Sequence, residues 1–253
     1  MIQFMASFVI IAGITGGIGS AVARRLHAAG FVVGGYARSA DKIAALAAEL
    51  PGLETAIAEA TDPVGVEAAI ADLIARGGGR LDGYVHAVGS ILLKPLHLTS
   101  LEEWRRTIDL NLNSAFYGLK AVVGPMQAQG AGSVVLISSV AAGTGLPSHE
   151  AIAAAKGGVE GLVRATAASY ASRNVRINAV APGLVDTPMA AALLGSPQAR
   201  AFSEKLHPLG RIGTADQVAA TIVHLLSPEA DWITGQVWAV DGGMSSVRPR
   251  PKA

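Results

Sequence analysis

Seven short apolar runs, separated by longer stretches of helical period, constrain the fold of this chain more than any other feature. They are Phe8–Ala12, Val32–Tyr36, Thr55–Glu59, Gly83–Ala87, Ser133–Ser138, Val175–Val180 and Gln236–Val240. A run of this length that is apolar almost throughout suits a strand buried on both faces. Alternation with helical patterns suits βαβ units in a parallel sheet. Helices are expected over Gly19–Ala29, Ala40–Leu50, Pro63–Ala75, Leu101–Gln129, Ala151–Ser172, Ala199–Lys205 and Ala215–Leu226. The expectation is an α/β fold with a doubly wound, seven-stranded parallel sheet, whose ligand lies at the carboxyl ends of the strands.

The 253 residues fit one domain over 1–246, and no linker divides them. Leu184–Ile212 holds Pro188, Gly195, Pro197, Pro208 and Gly210, which makes it the expected mobile lid over a substrate. Val247–Ala253, with two prolines among basic residues, is expected to be a disordered tail or an arm to a neighbouring subunit. The apolar run from Phe8 to Ile14 has no charged leader and is far shorter than the roughly 20 residues that span a bilayer, so it reads as a buried strand.

A net charge of +1 with scattered basic residues gives no field for nucleic acid or an anionic membrane, and neither is expected as a partner. Cysteine is absent, which excludes disulfides and thiolate metal sites and fits a reducing cytoplasm. His27, His97, His207 and His224 have no ligand-like spacing and read as surface or packing residues, so no metal site is expected. The three tryptophans read as core or interface anchors.

The segment Gly13-Ile14-Thr15-Gly16-Gly17-Ile18-Gly19 follows the first strand and opens the first helix. That context is what a Rossmann-type nucleotide turn requires: glycines permit the tight turn and let a diphosphate approach the helix N-terminus. The end of the second strand selects between NAD and NADP, because an acid there bonds the ribose 2′-hydroxyl and repels a 2′-phosphate. Ala37, Arg38 and Ser39 supply no acid, and Arg38 has the planar fork that suits a phosphate, so NADP is favoured with NAD possible. An ordinary surface arginine is the plain alternative. Gly89, after the fourth strand, allows close approach of backbone to cofactor.

Ser139 precedes position 152 by thirteen residues, and Lys156 follows it by four, which puts 152 and 156 on one helix face. With the glycine turn, Asn111, the loop Pro182-Gly183 with Val185 and Thr187, and the closing Asp241-Gly242-Gly243, this ordered set resembles the short-chain dehydrogenase/reductase family over nearly the whole chain. The resemblance implies a nicotinamide-dependent reduction of a carbonyl or oxidation of an alcohol. Ser139 would bond the substrate oxygen, Lys156 would hold the nicotinamide ribose, and Asn111 would help to hold a water chain. It also implies cofactor contacts from Gly13, Thr15, Gly16, Gly17, Ile18, Gly19, Glu59, Ala87, Gly89, Lys156, Pro182, Gly183, Val185 and Thr187, and assembly as a homodimer or homotetramer.

Three departures from the family pattern stand out. Ala12 takes the place of a Thr, His86-Ala87-Val88-Gly89 replaces Asn-Asn-Ala-Gly, and Ile152 stands where the family carries its proton-donating Tyr. Ile152 can neither give nor take a proton. His149, three residues before Ile152 and seven before Lys156, is the first replacement candidate, because enoyl reductases of the wider family place their Tyr at that seven-residue distance. Glu150, or a water held by Asn111 and Lys156, would be the next. Three readings follow: an NADPH-preferring oxidoreductase with an altered donor, acting on a small carbonyl or conjugated alkene; a cofactor-binding protein without redox activity, serving as partner subunit or sensor; and, behind these, a non-redox enzyme on the same scaffold.

Overall fold

The computed structural model describes residues 7–248. Its central sheet is parallel and seven-stranded, in the order β3-β2-β1-β4-β5-β6-β9. The strands are β1 (Phe8–Ala12), β2 (Val32–Ala37), β3 (Glu54–Ile57), β4 (Gly83–His86), β5 (Gly132–Ile137), β6 (Val175–Pro182) and β9 (Val237–Val240). All seven expected runs become strands, shifted by a residue or two at their ends. The two remaining strands, β7 (Val185–Asp186) and β8 (Gly213–Thr214), form a small parallel pair of their own.

Strand side chains alternate between two cores, which is why the runs are apolar at consecutive positions. Phe8, Ile10 and Ala12 face a core with α3 (Pro63–Arg76), α5 (Ser114–Gln129) and α6 (Glu150–Tyr170). Val9 and Ile11 face the opposite core with α1 (Gly17–Ala28), α2 (Ala40–Glu49) and α8 (Ala215–Leu226). Five of the eight described α-helices start at a side-chain cap. Asp62 accepts from the Val64 amide before Pro63, and Thr214 forms a capping box with Gln217. The strand order reverses between β1 and β4, which opens a crevice at their carboxyl ends.

The single helix expected over Leu101–Gln129 is two helices joined by a π turn. After α4 (Leu101–Ile108), residues Asp109–Asn113 wind with the wider repeat before α5 begins. Such turns hold one extra residue and leave carbonyls without their usual partners. Here the side chains of Asn111 and Ser114 donate to carbonyls of the turn and its approach, Thr107 O at 3.0 Å and Leu110 O at 2.8 Å. The expected lid between Leu184 and Ile212 contains a 3₁₀ stretch, Pro188–Leu194, and α7 (Pro197–Lys205). Of the expected tail, residues 249–253 lie outside the described residues, as do residues 1–6.

Candidate active site

At the end of β1 the chain turns through Gly13, whose φ of +71° lies in the left-handed region that glycine adopts freely. The amides of Gly13 and Ile14 both donate to Tyr36 O, at 2.9 and 3.4 Å, which ties the turn to β2. A Cβ on Gly19 would overlap the Gly13 carbonyl oxygen, so turn and helix meet backbone to backbone. Helix α1 starts behind Gly16 with no side-chain cap and no acid in its first turn. Its free amides and dipole therefore face outward toward any anion placed there. Thr15 is half-buried and Gly16 exposed on that rim.

Arg38 lies exposed just beyond β2 and lines a polar cleft with Glu59, Thr61, Arg105 and Arg106, and with the acids Glu102 and Asp109 of the same stretch. None of its three arginines joins a salt bridge among the described residues. Arg105 and Arg106 escaped the sequence reading because they sit on α4, far along the chain from the second strand.

A second cleft opens at the switch point. Ile18, Ala87, Gly89, Asn111, Ser139, Ile152, Lys156, Pro182, Gly183, Val185 and Thr187 all line it, brought from six separate segments. Lys156 is buried on α6, and its Nζ donates to Ile137 O at 2.8 Å. Desolvation by that burial pulls its pKa from 10.5 down to about 8. Asn111 sits in the π turn, where its Oδ1 accepts from the Ser90 amide at 3.1 Å and its Nδ2 donates to Ser90 Oγ at 2.9 Å. A Cβ on Gly89 would stand 2.7 Å from Asn111 Oδ1 and 3.5 Å from Lys156 Nζ. These two polar groups thus converge over a residue without a side chain. Ser90 belongs to the site as well, and its position directly after Gly89 was the available signal.

Ser139 caps a short 3₁₀ turn, its Oγ accepting from the Ala141 amide at 3.2 Å and keeping its own proton available. Ile152 is buried in the cleft one helical turn before Lys156. His149 is placed differently from the others. It precedes α6 on the rim, outside the residues lining the cleft, with Nδ1 at 2.7 Å from Pro147 O. Because that carbonyl only accepts, Nδ1 carries the proton, and in the neutral ring Nε2 is left as an acceptor.

Behind the cleft runs a buried chain of polar groups. Ser114 spends its hydroxyl proton on Leu110 O, so His86 Nε2, 3.0 Å away, must donate to Ser114 Oγ. His86 Nδ1 then accepts from Tyr84 OH at 3.1 Å, and Tyr84 receives from Tyr36 OH at 3.1 Å. Every proton points from β2 toward the π turn. Complete burial and the nearby Lys156 charge lower the His86 pKa from 6.5 to about 3. Desolvation by burial pushes Tyr36 up to about 12 and raises Tyr84 well above the usual tyrosine value of 10. All three stay neutral at ordinary pH.

Fold and clefts together define a doubly wound α/β protein with its ligand crevice at the switch point of the sheet. The family described as enoyl-(acyl carrier protein) reductase matches residues 13–245. The chain is 35% identical over 248 residues to cis-4-hydroxycyclohexanecarboxylate dehydrogenase of Sinomonas cyclohexanicum, covering 96% of this chain and 98% of that one. A solved short-chain type dehydrogenase/reductase from Mycobacterium ulcerans superposes with a TM-score of 0.91 at 34% identity, over 96% of this chain and 91% of that one. The structure of ElxO with NADP bound superposes with a TM-score of 0.90 at 28% identity, over 96% of this chain and 100% of that one. The chain belongs to the short-chain dehydrogenase/reductase family.

No described helix is long and apolar enough to cross a membrane.

Proposed function

We propose that this protein is an NADPH-preferring oxidoreductase that reduces a small carbonyl or a conjugated alkene and draws its proton from a donor other than the family tyrosine. The observation that carries this reading is the convergence of Lys156, Asn111 and Ser139 on one cleft beside the glycine turn. The residues present fit a nicotinamide dinucleotide. Uncapped α1 amides would take the diphosphate, Pro182, Gly183, Val185 and Thr187 would take the carboxamide end, and Ala87 and Gly89 would let the backbone pass close by. When bound, the nicotinamide supplies the hydride.

Arg38, with Arg105 and Arg106 across the same cleft, supports a 2′-phosphate, and Glu59 lies at its edge for the adenosine side. Ser139 keeps a hydroxyl proton for the substrate oxygen, and Lys156 places positive charge below it. Ile152 holds the position of the family tyrosine and fills it with a buried hydrocarbon. The proton then comes from a water over Gly89, between Lys156 Nζ and Asn111 Oδ1, or from His149 after it turns away from Pro147. An alkene reductase suits this arrangement best, since the enolate formed by hydride addition takes its proton from water.

Burial of Ile152 also favours a second reading, a cofactor-binding protein without redox activity. Titration with NADPH and NADH, followed by transfer of label from 4-deuterated cofactor to a panel of ketones and enones, separates the two. Label transfer by the wild type, weakened in His149→Ala, supports the altered donor. Ketone reduction by Ile152→Tyr alone, against an inert wild type, gives the second reading, and a protein that binds neither cofactor refutes both. General acid catalysis sets the expected gain in Ile152→Tyr at about 10²- to 10⁴-fold for ketones. Trp232, 96% exposed, suits a homodimer or homotetramer, and sedimentation as a monomer would overturn that assembly.

A further inference from the structure

We infer that His207 is a positioning residue that clamps the segment carrying α7 to the Pro182–Val185 loop, so that order in one is coupled to order in the other. His207 lies just past the end of α7 and is 2% exposed. Its Nε2 lies 3.1 Å from the Leu184 amide, which can only donate, so Nε2 is the accepting nitrogen. Nδ1 therefore carries the proton, and it lies 2.8 Å from Ser203 O, which can only accept. Both partners are backbone atoms of different segments. One neutral imidazole in one tautomer thus bridges the carboxyl end of α7 and the loop after β6.

The surroundings hold the ring in place. A Cβ on Gly183 would stand 2.8 Å from His207 Nε2 and 3.0 Å from Asp241 Cα, so the loop passes the ring with no room for a side chain. Leu209 donates to Gly242 O at 3.1 Å, and Asp241 accepts from the amides of Gly243 and Ser245 at 2.9 and 2.8 Å. The clamp is therefore seated on the segment that follows β9. On its other side the loop feeds the cleft through Leu184 and Val185, and the same cleft takes Met189 and Ala190 from the 3₁₀ stretch that leads into α7. Whatever orders the loop draws on two bonds that also order α7.

The link to cofactor rests on the function proposed above, but the clamp itself is testable without it. Hydrogen exchange of the unliganded protein should rise about tenfold at Leu184 and around Ser203–Leu206 in His207→Leu, with β1 to β6 unchanged. Two further variants divide the clamp. In His207→Gln the carbonyl reaches the Nε2 position and keeps the Leu184 bond, freeing only α7. In His207→Asn the amide reaches the Nδ1 position and keeps the Ser203 bond, freeing only the loop. Unchanged exchange in all three variants, or a uniform rise across the sheet, overturns the clamp. With NADPH added, the wild type should gain protection in both the loop and α7, whereas His207→Leu should gain it in the loop alone and bind about fivefold to tenfold more weakly. Equal protection of α7 in both proteins overturns the coupling. A wild type that shows no NADPH or NADH binding refutes the proposed function and leaves the unliganded exchange to decide the clamp.

Discussion

The two ends of the switch-point crevice are built from different materials. The glycine-turn end is made of backbone: Gly13, Gly16, Gly17 and Gly19 supply amides and clearance, and the sheet holds them through Tyr36 O. The Lys156 end is made of side chains, each needing a distant partner: Lys156 on Ile137, Asn111 on Ser90 and Thr107, and His86 on Tyr84 and Ser114. A backbone site draws little on peripheral side chains, and it fails when a Cβ appears. A side-chain site depends on each of these distant partners, and a substitution among them alters its chemistry before its fold.

The sharpest way to break that contrast is to add one carbon group to the backbone end. Gly19→Val forces a side chain into the Gly13 carbonyl and should cost about 4 kcal/mol or more in stability, read by denaturant unfolding. A loss below 1 kcal/mol would show that the turn yields easily.

Acid probes the other end. With a folded pKa near 3 against 6.5, the unfolded chain binds the His86 proton first. Stability from this group is therefore complete above pH 6.5 and falls as pH drops toward 3, by about 4 kcal/mol at the linkage slope of about 1.4 kcal/mol per pH unit. In His86→Gln the drop over that window should shrink to what the carboxylates lowered by their partners contribute, among them Glu103 and Asp241. Superimposable pH curves for the two proteins would remove His86 from the account.

The smallest effect has the opposite sign. Burial lowers the Lys156 pKa to about 8, so its charge at pH 7 is carried at a cost, one that fades as pH rises between 8 and 10.5. Lys156→Met should thus gain about 1 to 2 kcal/mol of stability at pH 7 while removing the positive charge from the cleft. A destabilised Lys156→Met would mean that the bond to Ile137 O outweighs the desolvation.

The same division explains what the amino-acid order disclosed. Strands and the glycine turn were legible because consecutive apolar positions and a Gly-rich junction are local signals with few alternative folds. Asp109–Asn113 carries no local mark of a π turn, since its apolar spacing continues that of the helices on either side. The expectation of one unbroken helix therefore failed there. His207, read as a surface or packing residue, is a buried two-bond bridge, because its partners lie at Ser203 and Leu184 and only the tertiary fold brings Leu184 to it. His86 was noticed as a departure from the family, yet its role in a one-directional relay depends on Tyr36 and Ser114, each many residues away.

The π turn also acts as a phase shifter for the helix that contains it. One additional residue in the winding advances the screw by roughly a hundred degrees, so the faces of α4 and α5 are set independently of each other. A chain with one residue fewer between Ile108 and Ser114 could keep all its strands and both flanking helices, yet present a neighbour of Asn111 to the lysine.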